Sequence, residues 1–459
     1  MNLKNNGKTI VAIIILAAVV VIAGVIVYTY SDSSGEEGKD GSLVGKTLRE
    51  EQLPSDYSRL WVYGNANEDD VIDSKDVTYL EAIINGSEKE TVLADANCDG
   101  VIDEKDVEYL NRIIAKEKMK VYYIDNYDRV ASVSWPVESI AIGYCSGAYC
   151  ADLIGICDKV TMVDNTIANY WTAINSNFSK AASYGTTEDP DYERMIASGI
   201  DVYLVGYCDY NADKSSPGKL NPAGIDVMFL TTCDNSGVDR PNEFIDRTIV
   251  TMAYLLQGNM DKVYEYLDWH DDVIETLEAA AENITDKTAY LMARTCPESI
   301  TADISITGLN NTNNIHAEWV GVYSIGMHEP GLSKNYQTIG MESIISYIEK
   351  YSSQGYNIYY MENCHAGLRQ QYDLIDSMAL DAKRFANIAD KPQIIGMARE
   401  AGNSPLYVIE LAFMQNAMYP ELNNGLDYKE LFEYYFNNFS SENYYSQLDI
   451  NQFFAVYNA

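Results

Sequence analysis

Two short segments of this chain place side-chain oxygens at the spacing a hard cation needs. The first, Asn65–Asp76, reads Asn-Ala-Asn-Glu-Asp-Asp-Val-Ile-Asp-Ser-Lys-Asp; the second, Asp95–Asp106, reads Asp-Ala-Asn-Cys-Asp-Gly-Val-Ile-Asp-Glu-Lys-Asp. Calcium takes about six to eight oxygens in a flexible cage, from alternating loop positions and one backbone carbonyl. In the first loop these are Asn65, Asn67, Asp69, Asp73 and Asp76, with the Val71 carbonyl. In the second they are Asp95, Asn97, Asp99, Asp103 and Asp106, with the Val101 carbonyl. Two calcium sites are expected, the second tighter. Asn65 replaces an acid at position one, and Asp70 stands where Gly100 supplies a sharp turn in the second loop. A single acidic loop is most often a surface turn. Two in register, each followed by Lys-Asp-Val-x-Tyr-Leu-x-x-Ile-Ile, are not explained that way.

The repeated string implies one amphipathic helix after each loop. Val77, Leu80, Ile83 and Ile84 match Val107, Leu110, Ile113 and Ile114, an apolar stripe at helical spacing. Ile72 and Ile102 occupy equivalent places and pack the two loops together.

Composition bounds the rest. The chain has 459 residues, 47% of them hydrophobic, and a formal charge of −36. Such a balance repels nucleic acid, and most of its carboxylates are a solvated surface. Thr9–Tyr30 is an uncharged apolar run long enough to span a membrane, with Lys4 and Lys8 before it. The expected topology is a single-pass anchor with the bulk of the chain outside the cytoplasm, after a Ser/Gly/Glu/Asp-rich stalk at Ser31–Ser42. The eight cysteines match no zinc or redox spacing and mostly lie in or beside apolar runs, so free buried thiols are expected.

Beyond Lys120 short apolar runs alternate with helical stretches: Ser139–Ile142, Val202–Val205, Val227–Leu230, Ala289–Met292, Ile358–Tyr360 and Ile394–Met397. This is an α/β pattern with mostly parallel sheets. Asn259–Asn283 reads as one long helix after a break at Gly258. Two α/β lobes joined by a stiff rod are the expected architecture. Ligands of open parallel sheets bind beyond the carboxyl ends of the strands. That rule singles out Tyr144, Ser146, Tyr149, Tyr207, Arg294, His365 and Arg399, with His316 and Trp319 in a polar insertion before Glu342. Arginine forks hold anions, aromatic rings wall a flat ligand, and histidine can ligate a metal. With 37 tyrosines in the chain, any one loop tyrosine is more often packing or surface than ligand contact. No P-loop, Gly-x-Ser-x-Gly, His-Glu-x-x-His or strand-placed Gly-x-Gly-x-x-Gly occurs, so an enzyme is not expected.

The loop pair over 60–117 resembles a dockerin domain, which places Asp at loop position twelve as Asp76 and Asp106 do. That resemblance implies docking to a cohesin-like partner near Ser74/Lys75 and Glu104/Lys105, although these are not the usual Ser/Thr pairs; the module could instead brace its neighbour. The region from about 120 onward resembles the helix-linked (class III) substrate-binding proteins of ABC importers for iron–siderophore, haem and cobalamin-type chelates. The matching phrases are the opening Val121–Ser132, Pro136–Ile140, Asp191-Tyr192-Glu193 leading to Gly199–Leu204, Gly340-Met341-Glu342 leading to Asn357–Tyr360, and Pro405-Leu406 through Tyr419-Pro420-Glu421. The whole combination is similar to proteins of methanogenic archaea. The resemblance implies capture of a metal chelate, delivery to a permease and its ATPase, and permease contacts at Glu193 and Glu342. A surface assembly or adhesion protein is the competing reading. The expected divisions are 1–30 anchor, 31–59 stalk and linker, 60–117 loop pair, 118–258 first lobe, 259–284 connecting helix and 285–459 second lobe.

Overall fold

Asp73 and Asp103 start the first two helices in the same way. Each carboxylate accepts the amide of the residue two places on, and Asp76 or Asp106 accepts the cap residue's own amide at 2.8 Å. The helices that follow, α1 (Ser74–Ile84) and α2 (Glu104–Ile114), bury Leu80, Ile83 and Leu110 against Ala66, Ala94 and Ala96, with Ile72 and Ile102 packed alongside. This is a computed structural model, and it describes residues 42–457 apart from 56, 207–210, 233–240, 295–302, 310, 423 and 443. The apolar run Thr9–Tyr30, nearly all of the stalk, and Tyr207 lie outside the described residues. Among the described residues no helix is long and apolar enough to cross a membrane.

Residues 43–63 do not form the free linker that composition suggests. The chain lies along the hairpin of β1 (Lys120–Ile124) and β2 (Val130–Ser134): Gly45 N donates to Val130 O at 2.8 Å, Leu48 N to Asp128 O at 2.8 Å and Tyr63 N to Tyr122 O at 3.0 Å. Leu43 N reaches Cys98 O inside the second acidic loop. Trp61, Tyr63, Leu93, Cys98, Ile124 and Val130 then share one apolar cluster, so the loop pair, the hairpin and residues 43–63 bury a common surface.

The first lobe is an all-parallel sheet in the order β5-β4-β3-β6-β7, from β3 (Ile140–Ile142), β4 (Val160–Val163), β5 (Ala182–Ser183), β6 (Val202–Leu204) and β7 (Asp226–Met228). β3 and β6 are buried at every position, which continuous apolar runs allow and alternating ones do not. Helices α3 (Tyr144–Leu153), α4 (Tyr192–Ser198), α5 (Asn211–Leu220) and α6 (Pro241–Leu255) complete it. At Gly258 a side chain would overlap the Ile154 carbonyl, so only glycine lets the chain turn there into the connecting helix. That helix, α7 (Met260–Ala281), is 22 residues long and capped by Asn259 accepting from Lys262 N. It is about 33 Å from end to end.

The second lobe contains β8 (Thr288–Ala293), β9 (Ile304–Thr307), β10 (Tyr323–Ser324), β11 (Tyr336–Ile339), β12 (Asn357–Cys364), β13 (Gln393–Ala398) and β14 (Phe454–Val456). Its order is β11-β9-β8-β12-β13-β14, with β10 on β8. β8, β12 and β13 are parallel; β9, β11 and β14 run against their neighbours. Helices α8 (Thr312–Trp319), α9 (Ile325–His328), α10 (Met341–Ser353), α11 (Leu374–Arg384), α12 (Tyr407–Met418) and α13 (Tyr428–Asn438) surround it. The stretch taken from sequence as a polar insertion is therefore structured: β9, α8, β10 and β11 lie in it. α12 is buried on all sides from Tyr407 to Gln415, as a helix apolar all round must be. It meets the connecting helix through Gln415 Nε2 to Leu277 O at 2.9 Å. Residues Leu43–Ala459 form one compact unit.

Candidate functional site

The sheets of the two lobes bring strand ends to a common cleft. β3 ends at Gly143, and Tyr144 opens α3 with φ +63 and its amide bonded to Asp164 Oδ2 at 3.2 Å. A side chain on Gly206, just past β6, would collide with the Gly143 backbone, so these two strand ends touch directly. Trp171, downstream of β4, stands edge-on to Tyr144 with ring centroids 5.9 Å apart. From the second lobe come His365 after β12, Arg369 in the turn that follows, and Arg399 with Glu400 after β13. Tyr144, Cys145, Trp171, His365, Ala366, Arg369, Arg399 and Glu400 meet with no room for a water molecule between them. Ligand pockets for drug-sized molecules are about 300–1,000 Å³, so the cleft is shut in this structure. A wider hollow of about 670 Å³ over α7, lined by Asp272, Glu275 and Thr276 among others, is open and acidic and has no cationic residue in its lining.

His365 is the centre of the cationic side. Arg399 Nη1 lies 2.9 Å from its Nε2, and Arg369 Nη1 lies 3.1 Å from its Nδ1. Burial first, then Arg399, Arg369 and Arg294, push the imidazole down to about 2, so it is neutral throughout the physiological range. Arg399 is held in place by Asn363, through Nε to Oδ1 at 3.3 Å and Nη2 to the carbonyl at 3.2 Å. Arg369 lies over the Tyr170 ring at 5.1 Å and Arg294 over Tyr336 at 4.0 Å. A neutral imidazole among three guanidinium groups suits an anion or an anionic complex.

Four residues selected by sequence, His316, Trp319, Ser146 and Tyr149, lie outside the cleft lining. His316 is fully buried within α8 between Trp319 and Tyr407, with centroids 4.8 and 4.9 Å away, so neither it nor Trp319 lines the cleft. Ser146 is buried in α3, donating to Gly206 O at 3.2 Å, and ties the helix to the strand end. Tyr149 is likewise buried in α3, but its hydroxyl crosses to Glu400 Oε2 at 3.3 Å. Trp171 and Arg369 line the cleft without a signal in the sequence, whereas Glu400 follows Arg399 directly at the end of β13 and falls under the strand-end rule. β4 is a four-residue strand inside a polar stretch, and the strand-end rule reaches Trp171 only once β4 is seen. Glu193 and Glu342 are exposed second residues of α4 and α10, where the helix N-terminus alone favours an acid.

The acidic loops fold alike. Asp106 accepts from Asn97 N at 3.0 Å and Asp103 N at 2.8 Å; Asp76 accepts from Asn67 N at 3.1 Å and Asp73 N at 2.8 Å. Asp99 Oδ1 accepts from Val101 N and Asp69 Oδ1 from Val71 N, so position five turns the loop in both. Burial pushes Asp76 and Asp95 up to about 6, with neighbouring acids adding to it. The loops differ at positions one and six. Asp95 accepts from Asp99 N and Gly100 N. Asn65 instead donates its amide to Leu60 O at 3.0 Å, while its Oδ1 is buried and accepts nothing from the described residues. Asp70, at φ +67, turns outward: its carboxylate accepts from Arg59 N at 2.6 Å and Leu60 N at 2.8 Å, and its carbonyl accepts from Tyr264 Oη on α7 at 2.6 Å. Arg59 continues to Asp271 on α7 at 2.9 Å.

A third acidic group, Asp246, His270 and Asp271, has the separation a metal could span. His270 Nδ1 already lies 2.9 Å from Asp271 and 3.4 Å from Asp246, its Nε2 bonds Tyr407 Oη, and Arg59 occupies Asp271. The group reads as a polar junction between α6, α7 and α12. The five described cysteines Cys98, Cys145, Cys150, Cys157 and Cys364 are free and buried.

No protein-family model matches the sequence, and no curated protein does. Solved structures do match the fold. A TroA-like periplasmic binding protein, FepB, from Veillonella parvula aligns with 73% of this chain and 99% of its own, at 14% identity and a TM-score of 0.57. The molybdate periplasmic binding protein MolA of a Haemophilus influenzae ABC transporter, with molybdate bound, aligns with 72% and 99% at 13% identity and a TM-score of 0.55. A further Veillonella parvula periplasmic solute-binding protein covers 73% and 97%, at 13% identity and a TM-score of 0.53. The two lobes and their helix thus have the fold of periplasmic binding proteins, and the similar structures are solute-binding proteins by description.

Proposed function

We propose that this chain is the extracytoplasmic solute-binding component of an ABC importer, capturing an anionic metal chelate of the siderophore, haem or cobalamin type between its lobes. The observation that carries the reading is His365, held neutral between Arg369 and Arg399 at the strand ends of one lobe and facing Tyr144 and Trp171 of the other. The fold of the similar structures supports the same reading. The solute passes to a membrane permease and its ATPase, with Glu193 and Glu342, one on each lobe, as contacts. Thr9–Tyr30 anchors the chain and leaves the lobes outside the cytoplasm.

The two acidic loops bind calcium in this reading. Asn65 Oδ1, buried and without a protein donor, supports a cation at the first loop, and the matched carboxylate pattern supports one at the second. The contacts of Asp70 with Arg59, Leu60 and Tyr264 favour a brace on the connecting helix. Ser74, Lys75, Glu104 and Lys105 remain exposed, which keeps a cohesin-type partner as the second reading.

The test is a thermal-shift screen of the full chain, with calcium, against ferric siderophores, haem, cobalamins and simple oxyanions. A ligand that binds only the folded form raises its melting point. A shift with one chelate supports capture and names the class. A shift with calcium alone and with no solute moves the reading to surface assembly.

A further inference from the structure

Glu400 follows Arg399 in sequence but turns the other way. Its side chain leaves the second lobe and meets the first. Trp171 Nε1 and Tyr149 Oη, both in the first lobe, donate to Oε2, while Leu368 N donates to Oε1 at 2.6 Å from its own lobe. Space for the carboxyl is made by Gly367, at φ +60, where a Cβ would overlap Oε1. The residue is 3% exposed. Other bonds cross beside it: Thr232 Oγ1 to Asn403 O at 3.1 Å, Asn175 Nδ2 to Ser441 Oγ at 2.8 Å, and Ser440 Oγ to Asp152 Oδ2 at 2.9 Å. The first two join groups of fixed charge state, and the third ends on Asp152, a buried carboxyl that burial also pushes up. Glu400 is the ionisable group that reaches across beside His365 and Arg399.

We propose that Glu400 is the positioning residue that latches the cleft, exchanging its first-lobe donors for water when the lobes part. This rests on the reading of the interlobe cleft as the capture site. Closure removes the carboxyl from water, and in a shut cleft burial pushes it up to about 7 against the pull of its three donors and the Arg369 amide. The groups facing it are Tyr149 and Cys145 from α3, Trp171, Tyr444 from the C-terminal segment, His365 and Arg369 from the turn after β12, and Arg399 beside it. Of these, Tyr149 and Tyr444 are held well above their ordinary range and His365 at about 2, so none of the three changes charge between pH 5 and about 8. The sign follows. An open, hydrated glutamate titrates near about 4.3; the shut cleft holds its proton to about 7. The closed form binds more protons across that window, so closure is favoured as pH falls through it and weakens as pH rises toward 7 and beyond. A captured anion strengthens the linkage, because a second negative charge in the cleft opposes ionisation of Glu400. The latch therefore makes an anion pocket that tightens in acid and loosens in base.

The indole that donates to Glu400 gives a readout that needs no solute. The full chain is titrated from pH 5 to 9, and the fluorescence of Trp171 is taken as the difference between wild type and Trp171→Phe. Wild type should show a transition near pH 7, accompanied by an increase in radius of gyration on the basic side. Glu400→Gln, which keeps shape and neutrality, should abolish both, and Glu400→Asp should displace the midpoint while keeping a transition. If Glu400→Gln fails to fold, Gly367→Ala, which pushes the carboxyl off its seat, should move the midpoint instead. A transition of the same midpoint in wild type, Glu400→Gln and Gly367→Ala overturns the latch, as does a flat wild-type titration. Calorimetry with a ferric catecholate probe in two buffers of different ionisation heat separates the latch from capture. Binding without proton uptake near pH 7 overturns the latch and leaves capture standing. A wild-type fluorescence transition lost in Glu400→Gln, with no binding of the probe or of any solute in the screen, supports the latch and overturns chelate capture.

Discussion

Asp70→Gly restores the glycine that the first loop lacks and removes its strut in one step. The carboxylate of Asp70 accepts two backbone amides, Arg59 N at 2.6 Å and Leu60 N at 2.8 Å, and Leu60 is wholly buried. A hydrogen bond to a charged acceptor contributes about 1.5–3 kcal/mol, and a buried donor left without a partner costs about 1–3. The side-chain pair with Arg59 Nε, at 3.4 Å and partly exposed, adds little. The gross loss is about 3–5 kcal/mol. Glycine at φ +67 recovers about 1–2 of this, since an L-residue in that region is strained. The expected net destabilisation is about 2–3 kcal/mol, and Asp70→Ala, which keeps the strain, should lose about 1 more. Urea unfolding of the full chain, followed by near-ultraviolet dichroism of the lobes with saturating calcium and with chelator, measures it. In wild type, calcium at about 100 times its dissociation constant adds about 2.7 kcal/mol to the signal of the lobes. In Asp70→Gly that gain should be confined to the loop pair, while calorimetry shows tighter calcium at the first loop. Unchanged lobe stability in Asp70→Gly, or a calcium effect on the lobes equal to that of wild type, would refute the brace.

Other outcomes follow from single sites. Asp95→Ala with Asp99→Ala should reduce calorimetric calcium stoichiometry from two to one and leave the first loop filled; unchanged stoichiometry contradicts the assignment. Arg399→Ala removes a guanidinium from His365 and from Asn363, and should weaken capture of an anionic chelate about 10- to 100-fold, the worth of one charge-assisted contact. Its melting temperature should stay near that of wild type; equal affinity takes Arg399 out of the site. Glu410 is fully buried, its carboxyl accepts from the Asn313 amide, and burial pushes it up to about 8. The folded chain keeps a proton that the unfolded chain releases from about 4.5 upward, so wild-type stability falls as pH rises through 4.5 to 8. Glu410→Gln should be more stable than wild type at pH 9, and the difference should shrink toward pH 5; parallel melting curves would contradict this.

Much of the architecture is legible as pattern. The β3 and β6 runs, the connecting helix and the paired loops each announce themselves within a dozen or so residues, because period and capping are local properties. The expected linker runs to residue 59, yet residues 45–48 and 61–63 bond along the hairpin through backbone groups that no composition reveals. His316 misled because a histidine in a polar stretch looks accessible, whereas α8 turns it between Trp319 and Tyr407.

The sequence alone determined the oxygens of the two loops, the order of the apolar strands β3, β6, β7, β8, β12 and β13, and the arginine and histidine at the ends of β12 and β13, since each is set by residue type at a short spacing. Tertiary structure decided which of these meet. Trp171 and Glu400 are 229 positions apart, and nothing local tells either of the other. Their contact exists because two sheets, joined through one continuous apolar core and the connecting helix, bring strand ends together, and burial then sets the charge of the groups caught between them.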